Sequence, residues 1–355
     1  MKPVIALLAL SLSSVLSPVD DVEVPEHILA IFQALPKSAK NPENPLSEAK
    51  IELGRQLFFD PRLSLDQKVS CNTCHDLASY GDDGLPTSLG IDGQKGARNA
   101  PTVFNAALHL SQFWDGRAKD LEEQATAPIL NPVEMGMPSP SHVLAVLNSI
   151  PPYRHSFAQA FPESPKPEIT FKKVGHAIAA FERQLLTPSR FDRFLKGNSG
   201  ALSAQEKRGL NTFVIKGCAS CHSGVGVGGH MYQKLGVFKP WPTPDKGRAN
   251  VPGQEQLTGY FKVPSLRNST ETAPYLHDGS IAHLDEVIRK MAIHQSGQRL
   301  RPGDVDDIIA FLGSLRGELD PKLTQKPKLP ASTKATPKAR STSRSQNSPE
   351  QSESK

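Results

Sequence analysis

Cysteine is scarce in this 355-residue chain, which has four in all. They fall in two short runs, Cys71-Asn72-Thr73-Cys74-His75 and Cys218-Ala219-Ser220-Cys221-His222. None remains for a disulfide or a separate zinc site. Long apolar runs are also missing. The stretch Val4 to Leu10 is well below the roughly 18 residues that would span a bilayer. Coming after Lys2 and Pro3, it reads as an export signal covering residues 1–17, not as an anchor. Strand patterns are sparse, whereas 31 prolines and 26 glycines demand many loops. Between Asp76 and Leu108 there is neither histidine nor methionine.

Each cysteine run is a C-x-x-C-H motif, the attachment sequence of c-type haem. Two thiols can form thioether bonds to the vinyl groups, and the adjacent histidine reaches the iron. A zinc knuckle or a redox C-x-x-C is the alternative for one such run. Two of them in an exported chain favour haem, which is attached outside the cytoplasm in bacteria.

The formal charge of +5 is concentrated in the tail. Residues 321–355 contain eight Lys/Arg and two Glu, so the remainder is close to neutral. The tail is rich in Lys, Pro, Ser and Thr and poor in large apolar residues, which predicts a disordered basic extension. With no aromatics interleaved, it does not read as a nucleic-acid surface.

A Pro-rich lead-in, residues 18–45, precedes a predicted helix from Ser47 to Phe59 that leads into the first motif. The second motif has a similar introduction: a capping box of Ser203 and Glu206, then Leu210, Phe213 and Val214. Both lead-in helices contain Gly-x-x-x-Phe, as Gly54 to Phe58 and Gly209 to Phe213. This weak repeat suggests two related halves, residues 46–190 and 191–320. Further helices are predicted over Ser141 to Ile150, Phe171 to Leu186 and Asp304 to Leu315. The fold class that follows is mainly α, with two cytochrome c-like haem domains and long loops.

The iron ligands decide between electron transfer and catalysis. For the second haem, His222 supplies one side, and Met291 or His294 could supply the other. For the first, His75 has no conventional strong partner nearby; His109 is the nearest histidine, and a structural role suits it better. Gln124 and Glu134 lie downstream, where a carboxylate could move a proton between the oxygens of peroxide and an amide could orient the molecule.

Several ordered motifs now converge: Arg98-Asn99-Ala100-Pro101-Thr102, Phe113-Trp114-Asp115-Gly116-Arg117-Ala118, Leu121-Glu122-Glu123-Gln124-Ala125 and Asn131-Pro132-Val133-Glu134-Met135. Phe261 to Asn268 and Ala273 to Gly279 continue the series. Together they resemble the bacterial di-haem cytochrome c peroxidase family, which includes the MauG enzymes, over roughly Leu46 to Glu318. The resemblance implies a peroxidatic haem at Cys71, Cys74 and His75, with Glu134 as acid–base residue and Gln124 in the pocket. It implies an electron-transfer haem at Cys218, Cys221 and His222, with Met291 as second ligand and Trp114 as a relay between the haems. The MauG branch carries a tyrosine at the position of Met291, so methionine favours the peroxidase branch. A calcium ion between the domains is also implied, held by the Asn99 side chain and the carbonyls of Thr272 and Pro274.

One position departs from the family. Many members have a histidine that closes the peroxidatic iron in the oxidised resting state, and this chain has Ile91 there. Isoleucine cannot ligate iron, so an open peroxidatic site is expected even when both irons are ferric. The activity implied is periplasmic reduction of hydrogen peroxide with electrons from a small donor protein, cytochrome c or a copper protein. A homodimer is the family's habit. The alternatives are a MauG-like enzyme that oxidises residues of a partner protein and a non-catalytic di-haem electron carrier.

Overall fold

The computed structural model describes residues 22–163 and 168–340. The expected export signal, residues 1–17, lies outside the described residues. The chain is mainly helical; among the described residues the one sheet is a two-stranded antiparallel ribbon, Tyr232–Lys234 against Tyr260–Lys262. Among the described residues no helix is long and apolar enough to cross a membrane.

Two helix pairs make the framework. Helix Glu48–Phe58 packs on helix Phe171–Glu182, and helix Ala204–Ile215 packs on helix Pro302–Ser314. The Gly-x-x-x-Phe repeat explains both contacts. A Cβ at Gly54 would stand 1.8 Å from the Ala177 carbonyl oxygen, and one at Gly209 would stand 1.9 Å from that of Asp307. Only a residue without a side chain lets these backbones approach so closely. One turn on, Phe58 meets Phe181 edge-on at 5.5 Å, and Phe213 meets Phe311 at 5.3 Å. Aromatic pairs of this kind contribute about 0.5–1.5 kcal/mol beyond burial.

Local signals position the helix starts. Ser47 caps the first helix through the Lys50 N–H, and Ser203 and Glu206 exchange both bonds of their capping box. The element predicted from Asp304 begins two residues earlier, at Pro302, with the Asp304 carboxylate accepting the Arg301 N–H. Helix Pro140–Asn148 is followed at once by helix Pro151–Ala160, which the sequence reading does not anticipate. Proline at the first helical positions costs nothing there, because those N–H groups have no partner within the helix.

Each helix pair has its own apolar cluster. One gathers buried residues from Leu53 to Leu185, the other residues from Phe191 to Leu315 together with Ile28 and Phe32 of the lead-in. The lead-in therefore acts as a clasp. Its Leu35 N–H binds buried Asp192, and Asn44 donates to Glu122 and to the His176 carbonyl. Asp192 is also gripped by both terminal nitrogens of fully buried Arg267, at 2.9 and 3.0 Å. Arg98 bridges the halves, binding Asp115 on one side and Asp245 on the other.

The tail corrects one expectation. Disorder was expected from Pro321, yet residues 321–340 lie along the first half as a strap. Leu323 packs on its core, Ser332 accepts from Arg62, Thr336 joins Ser149, and the Pro337 carbonyl accepts from Gln67. Arg340 donates its N–H to the Leu65 carbonyl and its guanidinium to Asp92. Composition misleads here because the strap is held by backbone and hydroxyl hydrogen bonds to a preformed surface and needs no core of its own. Residues 341–355 lie outside the described residues.

Candidate active site

Both C-x-x-C-H runs form tight helical turns, an α turn over Cys71–Cys74 and a 3-10 turn over Cys218–Ser220. In each, the histidine N–H returns to the carbonyl of the first cysteine, His75 to Cys71 and His222 to Cys218, both at 3.0 Å. All four cysteines are free thiols. Burial pushes the Cys74 and Cys218 thiols up to about 11 and Cys71 higher still, so they rest protonated. Both histidines are half-buried and held below the ordinary imidazole value, His222 at about 4, with desolvation the main cause. The carbonyls of Pro101 and Pro264 act against it, in equivalent positions of the two halves. Nδ1 of each ring is buried with no hydrogen-bond partner. Neutral imidazoles beside paired, unoxidised thiols fit a covalently attached haem.

The second run opens onto a cavity of about 350 Å³. Cys218, Cys221 and His222 line one side, and Met291 lines it from helix Leu284–Ser296. His294, the competing candidate, is not in its wall. Its Nδ1 pairs with the Lys239 carbonyl at 2.8 Å and its ring packs on Trp241. Phe213, Phe261, Leu266 and Leu312 give the cavity an apolar wall, the environment a porphyrin face requires.

Trp114 lies in the same wall and stands edge-on to His277. Its indole Nε1 donates to the Asn99 carbonyl at 3.0 Å, and its own carbonyl accepts the Lys262 N–H at 2.7 Å. Asn99, Thr272 and Pro274 meet at this cavity too. The Asn99 amide nitrogen donates to the Leu85 carbonyl, which leaves Oδ1 as its acceptor for a cation. Asp82 joins them in the wall. Burial pushes its carboxyl up to about 6, and no Lys or Arg pairs with it among the described residues. The sequence reading did not single out Asp82; its one signal is an acidic doublet in a Gly-rich loop.

Around the first run the chemistry is different. Glu134 is near enough to both Cys71 and Cys74 to perturb them. Its own carboxyl is raised by burial, opposed by the Arg117 guanidinium and by the Asn131 Nδ2 bond at 2.8 Å. Arg117 is stacked on Phe113 at 3.5 Å and held by Asp115. The Glu134 carbonyl accepts the Ile91 N–H at 2.8 Å, while the Ile91 side chain is buried in the core with Met135 and Met137. Gln124 ends the short helix Leu121–Gln124, half-buried, with no side-chain hydrogen bond among the described residues. Glu182 is a second acid that the sequence did not flag. It is buried beside Cys71, its Oε2 has no partner, and desolvation raises it to about 8.

Comparison with known proteins agrees with this layout. A family profile described as di-haem cytochrome c peroxidase matches residues 48–200. Cytochrome c551 peroxidase of Pseudomonas aeruginosa is 46% identical over 87% of this chain and 90% of its own length. The protein of the same name from Nitrosomonas europaea is 43% identical over 94% of this chain and 97% of its own. Among solved structures, a MauG-like protein associated with microbial copper homeostasis superimposes with a TM-score of 0.73 at 30% identity, covering 82% of this chain and 97% of that one. With two cysteine–histidine turns in a mainly helical frame and relatives of this identity along nearly its whole length, the chain belongs to the di-haem cytochrome c peroxidase family.

Proposed function

We propose that this protein reduces hydrogen peroxide to two waters, consuming two electrons and two protons per turnover, with electrons from a small redox protein such as a cytochrome c or a copper protein. One observation carries the reading: two Cys-x-x-Cys-His turns have different surroundings. The first is near a buried carboxylate, and the second shares the wall of an apolar cavity with a thioether. Chemically equivalent attachment points with such different neighbours suit two different tasks.

Cys71, Cys74 and His75 would hold one haem; Cys218, Cys221, His222 and Met291 would hold the other. Haem supplies the redox-active iron at both places. Glu134, with its raised affinity for a proton, takes a proton from peroxide and returns it to the departing oxygen. Gln124 offers an amide to orient the peroxide. Met291, a soft ligand, favours a higher potential at the second site than a second histidine would. Trp114, tied to Asn99 and Lys262, is a rigid indole at the junction of the halves and the candidate relay. Asn99 Oδ1 and the Thr272 and Pro274 carbonyls are the proposed calcium ligands, and oxygen donors of this type suit that ion. The location follows the expected signal, residues 1–17, and is taken as the periplasm.

Ile91 bears on activation. Buried among core residues, it presents no ligand, and the first site is proposed to be open in the fully oxidised protein. The test is peroxide-dependent oxidation of a reduced cytochrome c, started from the fully oxidised protein. Immediate turnover is the expected result. A lag that pre-reduction abolishes would mean that another residue closes the first site. No turnover in either state, with several donors, would overturn the peroxidase reading and favour MauG-like chemistry.

A further inference from the structure

The cavity beside His222 and Met291 has a feature that the proposed chemistry does not use. Among the described residues Lys262 is the one Lys or Arg in its wall, and it is 6% exposed. Two of its three ammonium protons are committed, one to the Ser111 carbonyl at 2.9 Å and one to His109 Nδ1 at 3.2 Å. Among the described residues the third has no acceptor. The acid whose charge acts on it, Asp115, cannot serve as a full counter-charge, because that carboxylate already binds Arg98 and Arg117. Burial lowers the ammonium to about 8, which still leaves it charged at neutral pH.

His109 completes the pattern. An ammonium can only donate, so His109 Nδ1 accepts and the ring proton sits on Nε2. That Nε2 is buried, lies in the wall of the same cavity and has no partner. Two unpaired donors, one of them cationic, thus border a space that must receive a macrocycle with two carboxylates. A carboxylate buried there without a cation would be strongly disfavoured.

We propose that Lys262 Nζ and His109 Nε2 form a carboxylate-binding pair that holds a propionate of the haem attached at Cys218 and Cys221. The inference rests on the assignment of haem to that cavity. It gives the Lys262–Trp114 backbone bond a second purpose, since the residue that anchors the propionate is also the one that fixes the proposed relay. Removing a buried cation beside the iron destabilises the more negative, reduced state.

The crystal structure of the intact haem-loaded protein gives the direct test. A propionate oxygen within about 3.2 Å of Lys262 Nζ is expected. Both propionates directed away from Lys262 would overturn the inference while leaving the haem assignment intact. A cavity without haem would overturn the assignment as well. Spectroelectrochemistry of the second haem adds a functional readout. Lys262→Met is expected to shift the reduction equilibrium about tenfold toward the oxidised form, about 59 mV for one electron, and Lys262→Arg to restore it. His109→Leu should move it the same way by less. An unchanged potential in a haem-replete Lys262→Met protein would refute the pair.

Discussion

Replacing Glu134 by glutamine isolates the proton chemistry from the fold. The turn around Glu134 is held by backbone bonds, its N–H to the Asn131 carbonyl at 3.1 Å and its carbonyl to the Ile91 N–H at 2.8 Å. Glutamine leaves both in place, and its amide oxygen can still accept from Asn131 Nδ2. Only the capacity to take and return a proton is removed. A positioned acid–base group contributes about 10²–10⁴-fold, so Glu134→Gln should lose about 3–5 kcal/mol of transition-state stabilisation. The assay is steady-state oxidation of reduced cytochrome c by peroxide, with covalent haem content measured on the same sample. Wild-type activity should fall as pH drops through the Glu134 pKa, which burial places above its ordinary value of 4.5. The variant should lack that limb. Arg117→Leu removes the guanidinium that opposes burial, so its limb should move to higher pH. Near-normal turnover by a fully haem-loaded Glu134→Gln protein would refute the argument.

Met291→His should lower the potential of the second haem and slow turnover, because imidazole favours the oxidised iron more than a thioether does; an unchanged potential would show that Met291 is not the ligand. Glu182→Gln should flatten the pH dependence of stability. The folded carboxyl titrates at about 8 and the unfolded one near 4.5, so between these values the native state holds a proton that the unfolded state releases. Wild-type stability therefore falls as pH rises through that window, by roughly 1.4 kcal/mol per unit. Thermal melts from pH 5 to 8 would check it, and equal slopes in both proteins would refute it. A chain ending at Thr324 should stay folded but lose about 1–3 kcal/mol with the strap's bonds to Arg62, Gln67 and Ser149. Hydrogen exchange should rise around Asp92, where Arg340 is bound.

Much of the organisation is legible in the residue order because its signals are local. Thioether attachment needs two thiols and a histidine within five residues, so both runs announce themselves. Capping boxes and Gly-x-x-x-Phe steps act within one or two turns, and the sequence shows them before any packing is known. Helix Pro151–Ala160 buries only Tyr153, Phe157 and Ala160, a periodic signal too short to stand out in the sequence. The strap was misread because composition reports the ability to build a core, not the ability to lie on one.

Contacts between distant segments belong to the tertiary structure alone. Bringing Met291 and His222 into the wall of one cavity, and turning His294 toward Lys239 and Trp241, depends on how helix Leu284–Ser296 is rotated. The same is true of Lys262 meeting His109 across 153 positions, of Asp82 joining Asn99 at the junction, and of Glu182 buried beside Cys71. By itself the sequence determined where the two Cys-x-x-Cys-His motifs lie, since the residues that thioether attachment requires are contiguous. Folding decided the different surroundings of the two sites, because burial and charge depend on which distant groups exclude water from each other.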